Sequence, residues 1–577
     1  MSDARRFGTG VVATLALAFT GAGACAFIAP FPEVAPDPPG AGGSGSGGGG
    51  GDVVGVEPGA GGGGEVAESC VPRAETACYT GPQGTEGVGL CAAGVAACND
   101  DGTAVGACVG QVLPAFESCT TPADENCDGR ACTGDPVQGV ALGGTGDQHG
   151  RAIAVSKDAV VVVGSASGST DLGGGPSDEL GTLAEADAFL ASFPRDGLSR
   201  DGLSRGGRFR FSRRFADSVA RGVALSPEGD VVLAGSASGD VDFGGGVRKG
   251  RGHRADVVVA RFDAAGAHQF SRRFGDAATQ QATAVAVDSA GNAFVTGEFW
   301  GTLDFGEPRK GERFTLKSQG ERDVFLVKLD AAGNVHWARQ FGDEADQAGT
   351  GVAVDGAGNI VLVGWFSGRI GFGGEKDLLT VAKSDLFVAK LDPSGDHVWS
   401  KSANATNTAE ALGVAVDGAG NVLVTGSFRS SVTLGESPRT TAGDKDVLLI
   451  RLDENGVPLW SEDYGDDADQ EGAAIAVDLA GNILLTGSFW GSLEIGDEVH
   501  SARGAADVFV AKLGPDGSPL WSRRFGDSGT QAATSVAADL LGNSWVTGHF
   551  DGALDLGPGG AVTSRGAGDA FIVQIGP

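Results

Sequence analysis

Cysteine is absent from everything after Cys132 in a chain of 577 residues, so most of the sequence must hold its fold without crosslinks. Cations are scarce: 42 Lys and Arg stand against 74 Asp and Glu, for a net charge of −32. That balance excludes nucleic acid as a partner, because phosphates need a basic footprint, and it disfavours docking on anionic lipid. The apolar run from Val11 to Phe19 is too short to cross a bilayer as a mature helix. A catalytic constellation is missing too. The seven His are scattered, and His268, His336 and His397 fall at equivalent places in successive repeats, which separates them in space and rules out one shared triad or metal site. Neither a Ser-His-Asp set nor a carboxylate pair is marked, so the sequence predicts no enzyme.

What the chain has in abundance is glycine, with 100 residues, and internal repetition. The stretch Gly413-Val-Ala-Val-Asp417-Gly-Ala-Gly-Asn421-Val-Leu-Val-Thr-Gly-Ser-Phe428 reads as two short strands joined by an Asp-x-x-Gly-Asn turn, and versions of it recur seven times. One face of the first strand carries only small residues: Ala152/Ala154, Gly222/Ala224, Ala284/Ala286, Gly351/Ala353, Gly413/Ala415, Ala474/Ala476 and Ser535/Ala537. Alternate positions are mostly Val or Ile, and a small face in every copy points to strands converging where room is short, the hub of a β-propeller. A third strand opens with Asp187, Asp256, Asp323, Asp385, Asp446, Asp507 and Asp569, and a fourth holds an aromatic anchor at Phe211, Phe270, Trp337, Trp399, Trp460 and Trp521. Four strands in a unit of roughly 60 residues make one blade.

The last unit stops after its third strand, Ala570 to Ile575, while Pro136-Val-Gln-Gly-Val-Ala-Leu142 looks like a fourth strand without a blade. The predicted fold is therefore all-β, a seven-bladed propeller of four-stranded blades over residues 133–577, closed by its own N-terminal strand. The repeat resembles the bacterial seven-bladed β-propeller repeat family in Asp-x-x-Gly-Asn, Val-Thr-Gly-x-Phe, Asp-Val-Phe-x-x-Lys-Leu and Trp-Ser-Arg-Arg-Phe-Gly, over residues 137–577. The first two blades depart from it, with Ser156 and Ser226 in place of the turn Asp. Blade one also carries a duplicated Arg-Asp-Gly-Leu-Ser at 195–204.

Ahead of the propeller the sequence predicts three segments. Residues 1–24 read as a signal peptide, with Arg5 and Arg6 before the apolar run, and Ala22-Gly23-Ala24-Cys25 resembles a bacterial lipobox whose Cys25 is the lipid attachment site. By the same resemblance Ala26 directs the protein to the outer membrane; secretion is the alternative. Residues 25–69 are rich in Gly and Pro and predict a disordered tether, about 35 Å from end to end. Residues 70–132 hold Cys70, Cys78, Cys91, Cys98, Cys108, Cys119, Cys127 and Cys132, an even set with too little apolar residue between them for a core, so a disulfide-rich module is expected, its pairing open. The closest pairs are too wide for zinc knuckles. This stretch resembles a Cys-rich module of myxobacterial surface proteins, and its Asp124, Glu125 and Asp128 read as a solvated acidic turn, with calcium binding as the rival, since their spacing is not that of an EF-hand loop.

Short Asp-x-x-Gly turns occupy one face of the predicted ring, where the Asp accepts local backbone hydrogen bonds, with calcium coordination as the rival. The other face carries the variable loops. Arg248, Lys249, Arg251, Arg254, Arg309, Lys310 and Arg313 lie between second and third strands, and Asp343, Glu344, Asp346, Asp466, Asp467 and Asp469 lie between blades. Loop variation on a rigid frame marks this as the expected ligand face. The function read from the sequence is a monomeric cell-envelope lipoprotein, touching the membrane through its lipid anchor only, whose propeller binds or scaffolds protein or glycan and needs no cofactor. A polysaccharide-acting enzyme with its site at the channel mouth, and a purely structural envelope protein, are the alternatives.

Overall fold

The computed structural model describes residues 71–81, 85–100, 105–115, 123–125, 127, 134–172, 176–177, 187–195, 209–250, 254–306, 313–435, 437–557 and 560–577. The predicted signal peptide, Cys25, the tether, Cys70, Cys119, Cys132, Asp128 and most of the 195–204 duplication lie outside them. Among the described residues every regular element is a β-strand. Seven antiparallel blades follow in chain order, each with four strands. Their inner strands are Gln148–Val155, Ser218–Leu225, Gln280–Val287, Gln347–Val354, Thr408–Val416, Gln470–Val477 and Gln531–Ala538. Each inner strand touches those of both neighbouring blades, and the seventh touches the first, so the ring is closed.

Closure is made by the N-terminal strand. Pro136–Gly144 pairs with Asp569–Ile575, setting Leu142 opposite Ala570 and Val140 opposite Ile572. The two ends of the propeller are thus stitched by backbone hydrogen bonds, and no unpaired edge is left where the chain ends meet.

The alternating pattern of the inner strands resolves into contacts between blades. Ala284 and Ala286 of the third blade pack with Val352 and Val354 of the fourth, and Ala152 and Ala154 of the first with Val223 and Leu225 of the second. The small face of each inner strand meets the larger residues of the next, because wedge-shaped sheets come closest near the axis. A Cβ on Gly222 would sit 3.0 Å from the backbone nitrogen of Val285, and one on Gly413 would sit 3.2 Å from Cα of Ala474. The positions are small for want of space.

The outer aromatics lock the rim. Each packs under the glycine in the turn between third and fourth strands of the following blade, so that a Cβ on Gly333 would fall 2.5 Å from the ring of Phe270 and one on Gly456 2.6 Å from Trp399. These glycines have positive φ, 78° and 77°, which frees the chain to turn tightly over the ring. Trp399 also donates its indole N–H to the Glu454 carbonyl at 3.0 Å. At the seam, Gly134, with φ of 64°, covers Trp521 in place of the missing turn.

A smaller compact unit contains the hairpin Glu75–Cys78 with Gly94–Ala97 and the disulfide Cys78–Cys108. Cys91 is bonded to Cys127, and Cys98 also forms a disulfide.

Candidate functional site

The Asp-x-x-Gly-Asn turns are internally saturated. Asp288 Oδ1 accepts from the backbone N–H groups of Ala290 and Asn292 at 3.0 and 2.8 Å, and Asn292 Nδ2 donates to the other oxygen at 2.8 Å. Ser156 takes the same role with a hydroxyl, accepting from Ala159 N–H at 3.1 Å. A cation from the third strand seals several turns: Lys512 reaches Asp478 at 3.0 Å, both almost wholly buried, and Lys390 reaches Asp355 at 3.0 Å. The Asp oxygens on this face are held by N–H donors and ammonium groups, as a turn requires. Among the described residues no three His, Cys, Asp or Glu side chains converge as a metal site would need.

The opposite face carries the variable loops, and several of the charges singled out there build the fold. Asp343 and Asp466 shape the links between blades. Asp466 accepts from Ala468 N–H at 2.8 Å, from the Gln470 amide at 2.6 Å and from Ser492 N–H at 2.8 Å; Asp343 repeats this with Ala345 and Gln347 at 2.9 and 2.7 Å. Arg248 donates to Ser271 Oγ at 3.1 Å, Lys249 pairs with Asp240 at 2.5 Å, Arg254 reaches Thr279 Oγ1 at 3.5 Å, and Arg313 pairs with Asp304. Arg248 and Lys249 border a depression of about 250 Å³ on the second blade, together with Asp256, Arg272 and Arg273. Glu344 and Asp467 are exposed. Arg251, Arg309 and Lys310 lie outside the described residues.

Asp346 and Asp469 lead inward. Asp346 lies 3.5 Å from Arg322, which also bonds Glu298 at 2.9 Å and stacks over Trp365 and Trp300, 4.7 and 5.6 Å from the ring centres. Asp469 lies 3.3 Å from Arg429, which also pairs with Asp444, and Lys445 pairs with Glu471 beside it. These groups stand where the inner strands begin, at the mouth of the central channel.

A bulge in each inner strand sets the lining of that mouth. The pairing register skips one residue per strand: Arg151, Arg221, Thr283, Thr350, Leu412, Ala473 and Thr534. The three threonines tie neighbouring blades, Thr283 donating to Gly349 O at 2.7 Å, Thr350 to Ala411 O at 2.6 Å and Thr534 to Gly150 O at 2.8 Å. In the first two blades the position holds arginine. Arg151 donates to Ser165 Oγ at 3.2 Å and Arg221 to Ser236 Oγ at 2.6 Å. Burial and the nearby Arg151 push the Arg221 guanidinium down to about 10. Beside them His149 and His549 have ring centres 4.4 Å apart, and burial, then Arg151, lowers the pKa of His149.

The other side of the mouth is acidic. Glu298, Glu410 and Glu471 come from the third, fifth and sixth blades, and burial raises the pKa of Glu298 and Glu410; Arg322 and Lys445 respectively oppose the rise most. The site is therefore a recess with arginines from the first two blades, glutamates from the third, fifth and sixth, two of them ion-paired, and Arg322 stacked over Trp300 and Trp365. Sequence reasoning named the channel mouth only as the site of the alternative enzyme and singled out none of Arg151, Arg221, Glu298 and Glu410. The signal was an arginine at one register position in each of the first two repeats, Arg151 and Arg221, visible only once the bulge places that residue at the mouth.

No family model matches the chain. It is 26% identical over 157 residues to an uncharacterised WD repeat-containing protein of Acanthamoeba polyphaga mimivirus, an overlap of 26% of this chain and 11% of that one. It is 29% identical over 177 residues to the regulatory protein FlaEY of Caulobacter vibrioides, an overlap of 30% of this chain and 18% of that one. The matched region thus spans less than a fifth of either relative. Among solved structures, that of U3-55K aligns over 76% of this chain and 99% of its own, with a TM-score of 0.41 and 8% identity.

Proposed function

We propose that the protein is a non-catalytic binding module for protein or glycan, presented at the cell envelope on a lipid anchor. The observation that carries the binding role is the channel mouth. Arg151, Arg221, Glu298, Arg322, Trp365, Glu410 and Glu471 converge there from blades far apart in sequence. Recessed charge costs stability where it is left unpaired, and a ligand can supply the missing partner. The envelope setting rests on Ala22-Gly23-Ala24-Cys25 and the glycine-rich stretch after it.

The test is a peptide and glycan array probed with the full propeller, with every hit followed for turnover. Saturable binding without a product supports the reading. A second reading is an enzyme that cleaves polysaccharide, favoured by the raised pKa of Glu410, for which burial is the main cause, next to Glu471. Release of sugar that Glu410→Gln abolishes establishes that reading and overturns the first. For the anchor, palmitate labelling of wild type against Cys25→Ala decides, and label retained on the variant rejects it.

A further inference from the structure

Arginines set deep in this molecule are paired with acids. Arg214 lies 3.1 Å from Asp187, Arg261 2.9 Å from Asp230, Arg273 2.7 Å from Asp256 and Arg451 2.7 Å from Asp417. Arg221 departs from this rule. No Asp or Glu among the described residues lies within 4.0 Å of it, its guanidinium donates to the neutral Ser236 at 2.6 Å, and its Nε is buried without a partner. A second guanidinium, Arg151, occupies the same bulge position in the adjoining blade and is near enough to disfavour the charge on Arg221, an effect that Glu298 opposes less strongly. Two like charges held side by side in a recess are unfavourable in the empty state, and an unpaired buried donor adds to that cost.

We propose that the channel mouth between Arg151 and Arg221 is the seat of a carboxylate group on the ligand. A planar carboxylate matches the arginine fork with two parallel N–H···O bonds and would supply the acceptor that Arg221 Nε lacks. Charge narrows the class. Glu298, Glu410 and Glu471 stand on the other walls of the same mouth, so a singly charged group fits better than a dianionic phosphate. Ser165 and Ser236, each bonded to one of the arginines, fix the direction in which the forks open. The assignment rests on the binding reading above and names the chemical group that site would take.

The test uses the full chain, with galacturonate as a sugar carboxylate, acetate as a free carboxylate and galactose as the neutral control. The readouts are a binding isotherm and the Nε resonances of isotopically labelled arginine. Saturable binding of galacturonate or acetate, absent with galactose and weakened at least about tenfold by Arg221→Gln, is the expected result. Acetate equal to galacturonate would identify a seat for the free group, and galacturonate alone a seat that also reads the sugar ring; both support the proposal. Arg221→Lys keeps the charge without the fork and should bind weakly, and its unchanged melting temperature guards against a folding artefact. Equal affinity of wild type and Arg221→Gln, or no saturable response to either carboxylate, overturns it. Array ligands whose affinity Arg221→Gln leaves unchanged would remove the carboxylate seat and leave the binding role standing. Carboxylate binding with an empty array would remove the broader role alone.

Discussion

The side-chain amide of Gln138 donates to the side-chain oxygen of Gln574 across 2.7 Å, although 436 residues separate them. The bond lies in the seam where the first strand of the propeller joins its last blade. Every blade leans on two others, so the stability of the ring depends on that seam as on any single core.

Leu142 is the seam's apolar counterpart, fully buried and packed among Ala570, Ile572 and Trp545. Leu142→Ala should destabilise the propeller by about 2–5 kcal/mol, the usual cost of a core cavity. Denaturant unfolding followed by tryptophan fluorescence measures it. A midpoint equal to wild type would mean that the N-terminal strand does not close the ring in solution.

Gly134 offers an independent check. A side chain there would fall 2.3 Å from the indole of Trp521, and its φ of 64° already disfavours one. Gly134→Val should lower the melting temperature and expose Trp521 to quencher, whereas Gly87→Val, at a glycine with open space around it, should leave Trp521 shielded.

The buried pair Lys512 and Asp478, 3.0 Å apart, predicts a non-additive cycle. Lys512→Met strands a buried carboxylate and should cost about 3–5 kcal/mol. Adding Asp478→Asn to it should recover part of that loss. Additive effects in the double variant would show that the two groups do not interact.

Asp385 opens the third strand of the fourth blade and is wholly buried. Burial raises its pKa to about 6, against the opposing pull of N–H groups of Ala405, Leu386, Ala403 and Asn404. An acid whose folded pKa lies above its unfolded value contributes stability at low pH and loses it as pH rises. The contribution is therefore complete below about pH 4 and gone above about pH 6, worth at most about 3 kcal/mol. Asp385→Asn should flatten the pH dependence of unfolding across that window. An unchanged slope would place the titration elsewhere.

Blade number, strand order and ring closure could be read from the chain because they are set by local rules repeated seven times. Small residues at Gly413 and Ala415 alternate with Val, Asp417 and Gly420 make the turn, and Trp460 anchors the rim, each within one short stretch. Repetition averages away the ambiguity of any single copy.

The chemistry at the channel mouth was not legible, because it belongs to no single repeat. Arg151 and Arg221 become neighbours only when the inner strands stand side by side, and Glu298 and Trp365 join them from other blades. The sequence places Asp343 and Asp466 on the expected ligand face, yet their oxygens are taken by backbone and glutamine donors that the folded links bring to them. Periodicity along the chain determines the frame; which charges meet, and which are spent on turns, is decided by the curvature that brings seven blades around one axis.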